Sequence, residues 1–183
     1  MKSAQHRRTR NDPAAQSDLF TVDSAARDLR AALAKAYRLL GMRARSEKEL
    51  RDALARAGYN DEVIARVLEE CRQKRFVDDT DFARQFVQSR LRQRPTGRAR
   101  LQLELQQKGL AAETVSAVLG EVFENAETTA RLADQLAEKL RKRLAALPPQ
   151  KARQRLVDHL RRRGFDWETI EQTKLWQELG ANV

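Results

Sequence analysis

The densest set of residues that could do chemistry is Asp78-Asp79-Thr80-Asp81, three carboxylates within four positions. Such a cluster could hold a magnesium ion for phosphodiester hydrolysis of the nuclease type. It stands immediately before an apolar helical stripe, Phe82, Phe86 and Val87, where short acidic side chains cap a helix and complement its dipole. Capping is therefore the preferred account. Neither His6 nor His159 has a nucleophile near it in sequence, no glycine loop could cradle a phosphate, and no Cys and His cluster has metal spacing. Cys71 lies beside Val67 and Leu68 and reads as a buried structural thiol. Trp167 and Trp176 could stack on bases, but such residues more often cap a hydrophobic core, the preferred reading here. These residues predict neither catalysis nor a cofactor or metal.

The basic side chains say more. Residues 138–164 hold ten of them (Lys139, Arg141, Lys142, Arg143, Lys151, Arg153, Arg155, Arg161, Arg162, Arg163) against Glu138 and Asp158, a local charge of +8 within a chain of net charge +10. A smaller group, Arg92, Arg94, Arg98 and Arg100, surrounds Pro95 and Gly97. Excess positive charge of this size suits an acidic polymer, above all nucleic acid or a protein coated with it. Clustering alone selects Arg92, Arg94, Arg98, Arg100, Lys139, Arg143, Lys151, Arg155, Arg161, Arg162 and Arg163 as the contact set. Lys151, Arg155, His159 and Arg162 share a helix face opposite Leu156 and Leu160.

The elements that position these groups are helices. Charged residues make up 34% of the 183 and aromatics 5%, so the core must come from Leu, Ala, Val and Ile. No run alternates apolar and polar residues as a half-buried strand does. Three stretches share one frame: Leu50-x3-Leu54-x3-Gly58-Tyr59, Leu101-x3-Leu105-x3-Gly109-Leu110 and Leu156-x3-Leu160-x3-Gly164-Phe165. A Glu follows each glycine by four (Glu62, Glu113, Glu168) and a β-branched residue by six (Ile64, Val115, Ile170). Leucines at i and i+4 lie on one helix face, and the glycine is the left-handed stop. Asn60 and Asp166 then cap the next helix, and Ser46-x-x-Glu49 is a capping box.

A further helical stretch precedes each pair: residues 26–42, 79–92 and 127–147, the last ended by Pro148-Pro149. The frame predicts an all-α chain of three tandem three-helix repeats forming a curved, elongated array. The repeats span 25–76, 77–123 and 124–183, after a disordered polar tail over 1–24.

Arg45-Ser46-x-x-Glu49-Leu50, then Phe76-Val77-Asp78-Asp79-x-x-Phe82-Ala83, then Gly97-x-x-Arg100-Leu101-x-x-Glu104-Leu105-x-x-Lys108-Gly109 resemble, in order and spacing, the RecX family of bacterial recombinase regulators. The likeness covers about residues 33–122; the third repeat shares only the Leu, Gly and aromatic frame. The resemblance implies a regulatory protein that binds the RecA recombinase filament on single-stranded DNA, lies in its helical groove, and restrains growth, ATP hydrolysis and strand exchange. Single-stranded or double-stranded DNA is a further expected partner. The alternative is an autonomous helical nucleic-acid-binding protein. The single Cys71 and the lack of a long apolar run place the expected monomer in the cytoplasm, away from membranes.

Overall fold

Helix termination sets the architecture, and glycine sets the termination. In the computed structural model, which describes residues 13–181 and their side chains from Ala26 onward, Gly58, Gly109 and Gly164 adopt φ of 89°, 82° and 84°. The N–H of each returns to the carbonyl three residues back: Gly58 to Ala55 at 2.9 Å, Gly109 to Gln106 at 2.8 Å and Gly164 to Arg161 at 2.9 Å. The N–H of the following residue reaches back five, Tyr59 to Leu54, Leu110 to Leu105 and Phe165 to Leu160, at 3.2 to 3.4 Å. That bond pair defines the Schellman stop. All six frame leucines are fully buried, as are Ile64 and Ile170, and Val115 nearly so.

Ten helices among the described residues run in chain order as α1 (Pro13–Met42), α2 (Glu47–Ala55), α3 (Asp61–Gln73), α4 (Asp79–Gln93), α5 (Arg98–Gln107), α6 (Ala112–Val122), α7 (Ala126–Leu144), α8 (Pro149–Arg162), α9 (Trp167–Glu171) and α10 (Lys174–Ala181). No strand occurs among them. Asn60 and Asp166 cap α3 and α9 as the sequence predicts, accepting from the N–H of Val63 and of Thr169. Extensive helix packing stays within a repeat, α1–α3, α4–α6 and α7–α10.

Three boundaries differ from expectation. Helix α1 begins at Pro13, ahead of Ala25; proline suits a first helical turn, whose N–H would go unpaired anyway, and Ala14 and Ala15 continue it. Of the expected tail, residues 1–12 lie outside the described residues. Helix α7 ends at Leu144, before Pro148-Pro149, and Pro149 instead opens α8. The third repeat has four helices, because its last helix breaks at Thr173. There the threonine hydroxyl donates to the Ile170 carbonyl at 2.8 Å, and Asp134 of α7 accepts from the Lys174 N–H at 2.9 Å, starting α10.

The repeats are not joined alike. Repeat 1 has its own apolar core, built on Leu50, Leu54, Ile64, Val67, Leu68 and Cys71. Repeats 2 and 3 share one continuous core, from Phe82 to Leu175. Burial, with the nearby Glu70 charge, pushes the Cys71 thiol up, which fits an inert packing residue.

Candidate functional site

The site residues gather where one repeat meets the next, and both junctions follow one design. Ser46, before α2, accepts from the Glu49 N–H and donates its hydroxyl hydrogen to the Lys108 carbonyl at 2.7 Å, at the end of α5. Fifty-one residues on from Ser46 stands Gly97, before α5, and its N–H donates to the Arg163 carbonyl at 2.8 Å, at the end of α8. In each junction a late carbonyl of one middle helix meets the start of another. The three middle helices thus align head to tail, with the negative end of one dipole at the positive end of the next. Asp79 adds a second bond at the first junction, accepting from the Glu47 N–H at 2.8 Å.

Each junction leaves a cleft on one side. The first, about 340 Å3, is lined by Arg43, Arg45, Lys48, Glu49, Asp52, Arg56, Gln107 and Lys108. Glu49 closes it, taking Arg43 at 2.8 Å and Lys108 at 2.5 Å. Burial opposes ionisation of Glu49, yet hydrogen bonds from Arg43 and Lys108 outweigh it and hold the carboxyl below its ordinary range. The second cleft, about 480 Å3, is lined by Arg90, Arg94, Thr96, Arg100, Glu104, Arg162 and Arg163. Its one acid, Glu104, takes Arg90 at 2.8 Å and Arg100 at 3.0 Å. Arg94, Arg162 and Arg163 have no carboxylate partner among the described residues. Five arginines against one glutamate give the lining a charge of +4.

Positive charge extends from this cleft onto α7 and α8. Burial depresses the His159 pKa first, and Arg163, Arg162 and Arg143 add to the effect in that order. Arg143 therefore belongs to the same field. At the end of α8 the Arg161 guanidinium lies 5.7 Å from the Trp167 ring centroid, and Trp167 meets Trp176 edge to face at 5.2 Å.

Of the residues selected by charge, Arg94, Arg100, Arg162 and Arg163 converge in the second cleft, with Arg143 nearby. Lys151 and Arg155 are exposed along α8, and Arg92 and Arg98 are exposed outside the cleft. Lys139 lies elsewhere, lining a separate cavity with Asp134, Glu138 and Lys174. Charge counting missed Arg90, Thr96 and Glu104, and all of the first cleft. The signal was present in the repeat offset: applied to polar positions, it pairs Arg43 with Arg94, Glu49 with Arg100 and Lys108 with Arg163.

The acidic run is structural. Asp78 caps α4, accepting from the N–H groups of Thr80 and Asp81, while Asp79 serves the junction. Among the described residues no three His, Cys, Asp or Glu side chains are placed to hold a metal ion. No helix among them is long and apolar enough to cross a membrane.

Fold and surface together define a tandem helical-repeat protein with basic inter-repeat clefts. Family models for the first, second and third three-helix domains of RecX match residues 32–71, 78–119 and 127–173. A protein of Prosthecochloris aestuarii named "Regulatory protein RecX" is 38% identical over 151 residues, covering 80% of this chain and 93% of its own. One of the same name from Mycolicibacterium vanbaalenii is 38% identical over 155 residues, covering 82% and 84%. The crystal structure of RecX from Lactobacillus salivarius has the same fold, with a TM-score of 0.75 at 20% identity over 85% of this chain and 99% of that one. The chain belongs to the RecX family.

Proposed function

We propose that this protein is a non-catalytic regulator that binds the RecA recombinase filament on single-stranded DNA and restrains its growth, ATP hydrolysis and strand exchange. Membership of a family whose members are named regulatory proteins supports the class. The observation that carries the reading is the second junction cleft with its unpaired Arg94, Arg162 and Arg163. A filament groove offers acidic protein groups and DNA phosphate together, and an elongated array can lie along it. The protein would act as a cytoplasmic monomer of three helical repeats, 25–76, 77–123 and 124–183.

The test is DNA-dependent ATP hydrolysis by the recombinase. Suppression at amounts far below the DNA supports a filament-directed regulator. Inhibition only near stoichiometric coverage of DNA would replace this reading with the autonomous nucleic-acid binder. Cleavage of DNA by the purified chain with magnesium would overturn its non-catalytic part.

A further inference from the structure

The two junctions are copies of one arrangement, and the first shows what the second lacks. In the first, the Glu49 carboxylate sits between Arg43 and Lys108 and binds both. At the equivalent positions of the second stand Arg94 and Arg163, and the residue equivalent to Glu49 is Arg100, drawn away to Glu104. The position that holds a carboxylate between Arg43 and Lys108 is thus taken by an arginine in the second, larger cleft, where Glu104 pairs only with Arg90 and Arg100 and three guanidinium groups have no carboxylate partner. Arginine forks match phosphate and carboxylate oxygens equally well. A second feature separates the two classes: Trp167 is 41% exposed, beneath the Arg161 guanidinium and braced by Trp176. It follows Arg163 by four residues, so the two Cα atoms lie within about 15 Å. An anion site next to an exposed, braced indole suits a strand carrying both phosphates and unpaired bases.

We propose that the cleft between the second and third repeats is an oxyanion site that takes a backbone phosphate of single-stranded DNA, with a neighbouring base stacked on Trp167. This deepens the function proposed above, resting on its DNA half. The recombinase is left out of the test, so the two readings can fail separately.

The full chain is titrated with an oligothymidylate across salt, following tryptophan fluorescence in a Trp176→Phe background, with poly-glutamate as the competing carboxylate polymer. DNA should quench Trp167, and poly-glutamate should compete poorly. Arg94→Gln and Arg163→Gln should each flatten the log-affinity against log-salt slope by about 0.7. Followed by anisotropy of a fluorescein-labelled oligothymidylate, because Trp167 is the one tryptophan left in that background, Trp167→Leu should weaken binding roughly 5- to 150-fold, with Trp167→Phe restoring most of it. The decisive variant is Arg100→Glu, which gives the second cleft the internal carboxylate of the first. It should fold, as judged by circular dichroism, and bind DNA far more weakly than Arg92→Glu or Arg98→Glu, which make the same charge change outside the cleft. Equal losses in all three would mean diffuse attraction and no site. Poly-glutamate displacing DNA at equal charge would reassign the cleft to an acidic protein segment, and full binding by Trp167→Leu would remove the base from the proposal.

Discussion

Replacing the frame glycines by alanine should cost different amounts, because their conformations agree while their surroundings do not. At Gly58 a Cβ would meet nothing within 4 Å, so Gly58→Ala carries only the left-handed conformational cost, about 1 kcal/mol. At Gly109 the Cβ would overlap Lys48 as far in as that residue's own Cβ, 2.5 Å away, which is fixed to the α2 backbone. Gly109→Ala should therefore add an overpacking cost of about 1 to 3 kcal/mol to the conformational one. At Gly164 the Cβ would overlap the backbone nitrogen of Arg100, which cannot move without opening the junction. Adding about 1 to 3 kcal/mol for overpacking gives about 2 to 4 kcal/mol. Gly97→Ala separates the two contributions: its φ of −79° suits any residue, yet a Cβ there would overlap the Gly164 carbonyl, so only the overpacking cost applies. Urea denaturation followed by tryptophan fluorescence reads the joint core of repeats 2 and 3, which holds Phe165 and packs against Trp176. A loss of 3 kcal/mol should lower the midpoint by about 1 M or more. Circular dichroism adds repeat 1, where Gly58 acts. Equal costs at Gly58 and Gly164, or a silent Gly97→Ala, would refute both the close backbone approach and the shared junction design.

Other variants probe separate links. Arg75 is the one non-glycine residue with positive φ among the described residues, at 56°, in a helix stop of the same form after α3; Arg75→Gly should stabilise repeat 1 by about 0.5 kcal/mol in thermal or urea unfolding. His159 is depressed by its burial and by Arg163, Arg162 and Arg143, so between its lowered folded pKa and about 6.5 the unfolded chain holds the extra proton. Stability should therefore fall as pH drops through about 6.5 and level off below the folded pKa, and His159→Gln should flatten that part of the profile. Because phosphate at Arg162 and Arg163 would relieve the repulsion, DNA binding should take up protons and tighten towards pH 6, a trend His159→Gln should remove. Changing Lys151, Arg155 and Arg162 together to Ala should leave the fold intact by circular dichroism and weaken binding. A loss on the recombinase filament far exceeding that on DNA alone supports the regulator reading, and an unaltered affinity for both would mark this row as merely solvated.

What the sequence made legible is what local chemistry decides. A glycine four residues after a leucine pair fixes where a helix stops, since few other residues accept a φ near 85°, and Asn60 and Asp166 fix where the next one starts. The break at Thr173 was not legible, because its stabilising partner Asp134 lies forty residues away in the chain. The junctions hid for the same reason. Ser46 reads as half of a capping box and does cap α2, but its hydroxyl also holds Lys108, sixty-two residues on, and Glu49 turns away from the box to Arg43 and Lys108.

Charge counting ranks residues by number of neighbours of like sign and cannot see which are neutralised. Arg100, which it selects, is held by Glu104, whereas Arg94, from the same group, has no carboxylate partner among the described residues. Neutralisation follows the repeat register. A carboxylate at one position of the first junction seals it internally, and an arginine at the same position of the second leaves a lining of five positive charges to one negative. At the first joint Glu49 ties Arg43 of repeat 1 to Lys108 of repeat 2, whereas at the second, backed by a continuous apolar core, Arg94, Arg162 and Arg163 are left without a carboxylate.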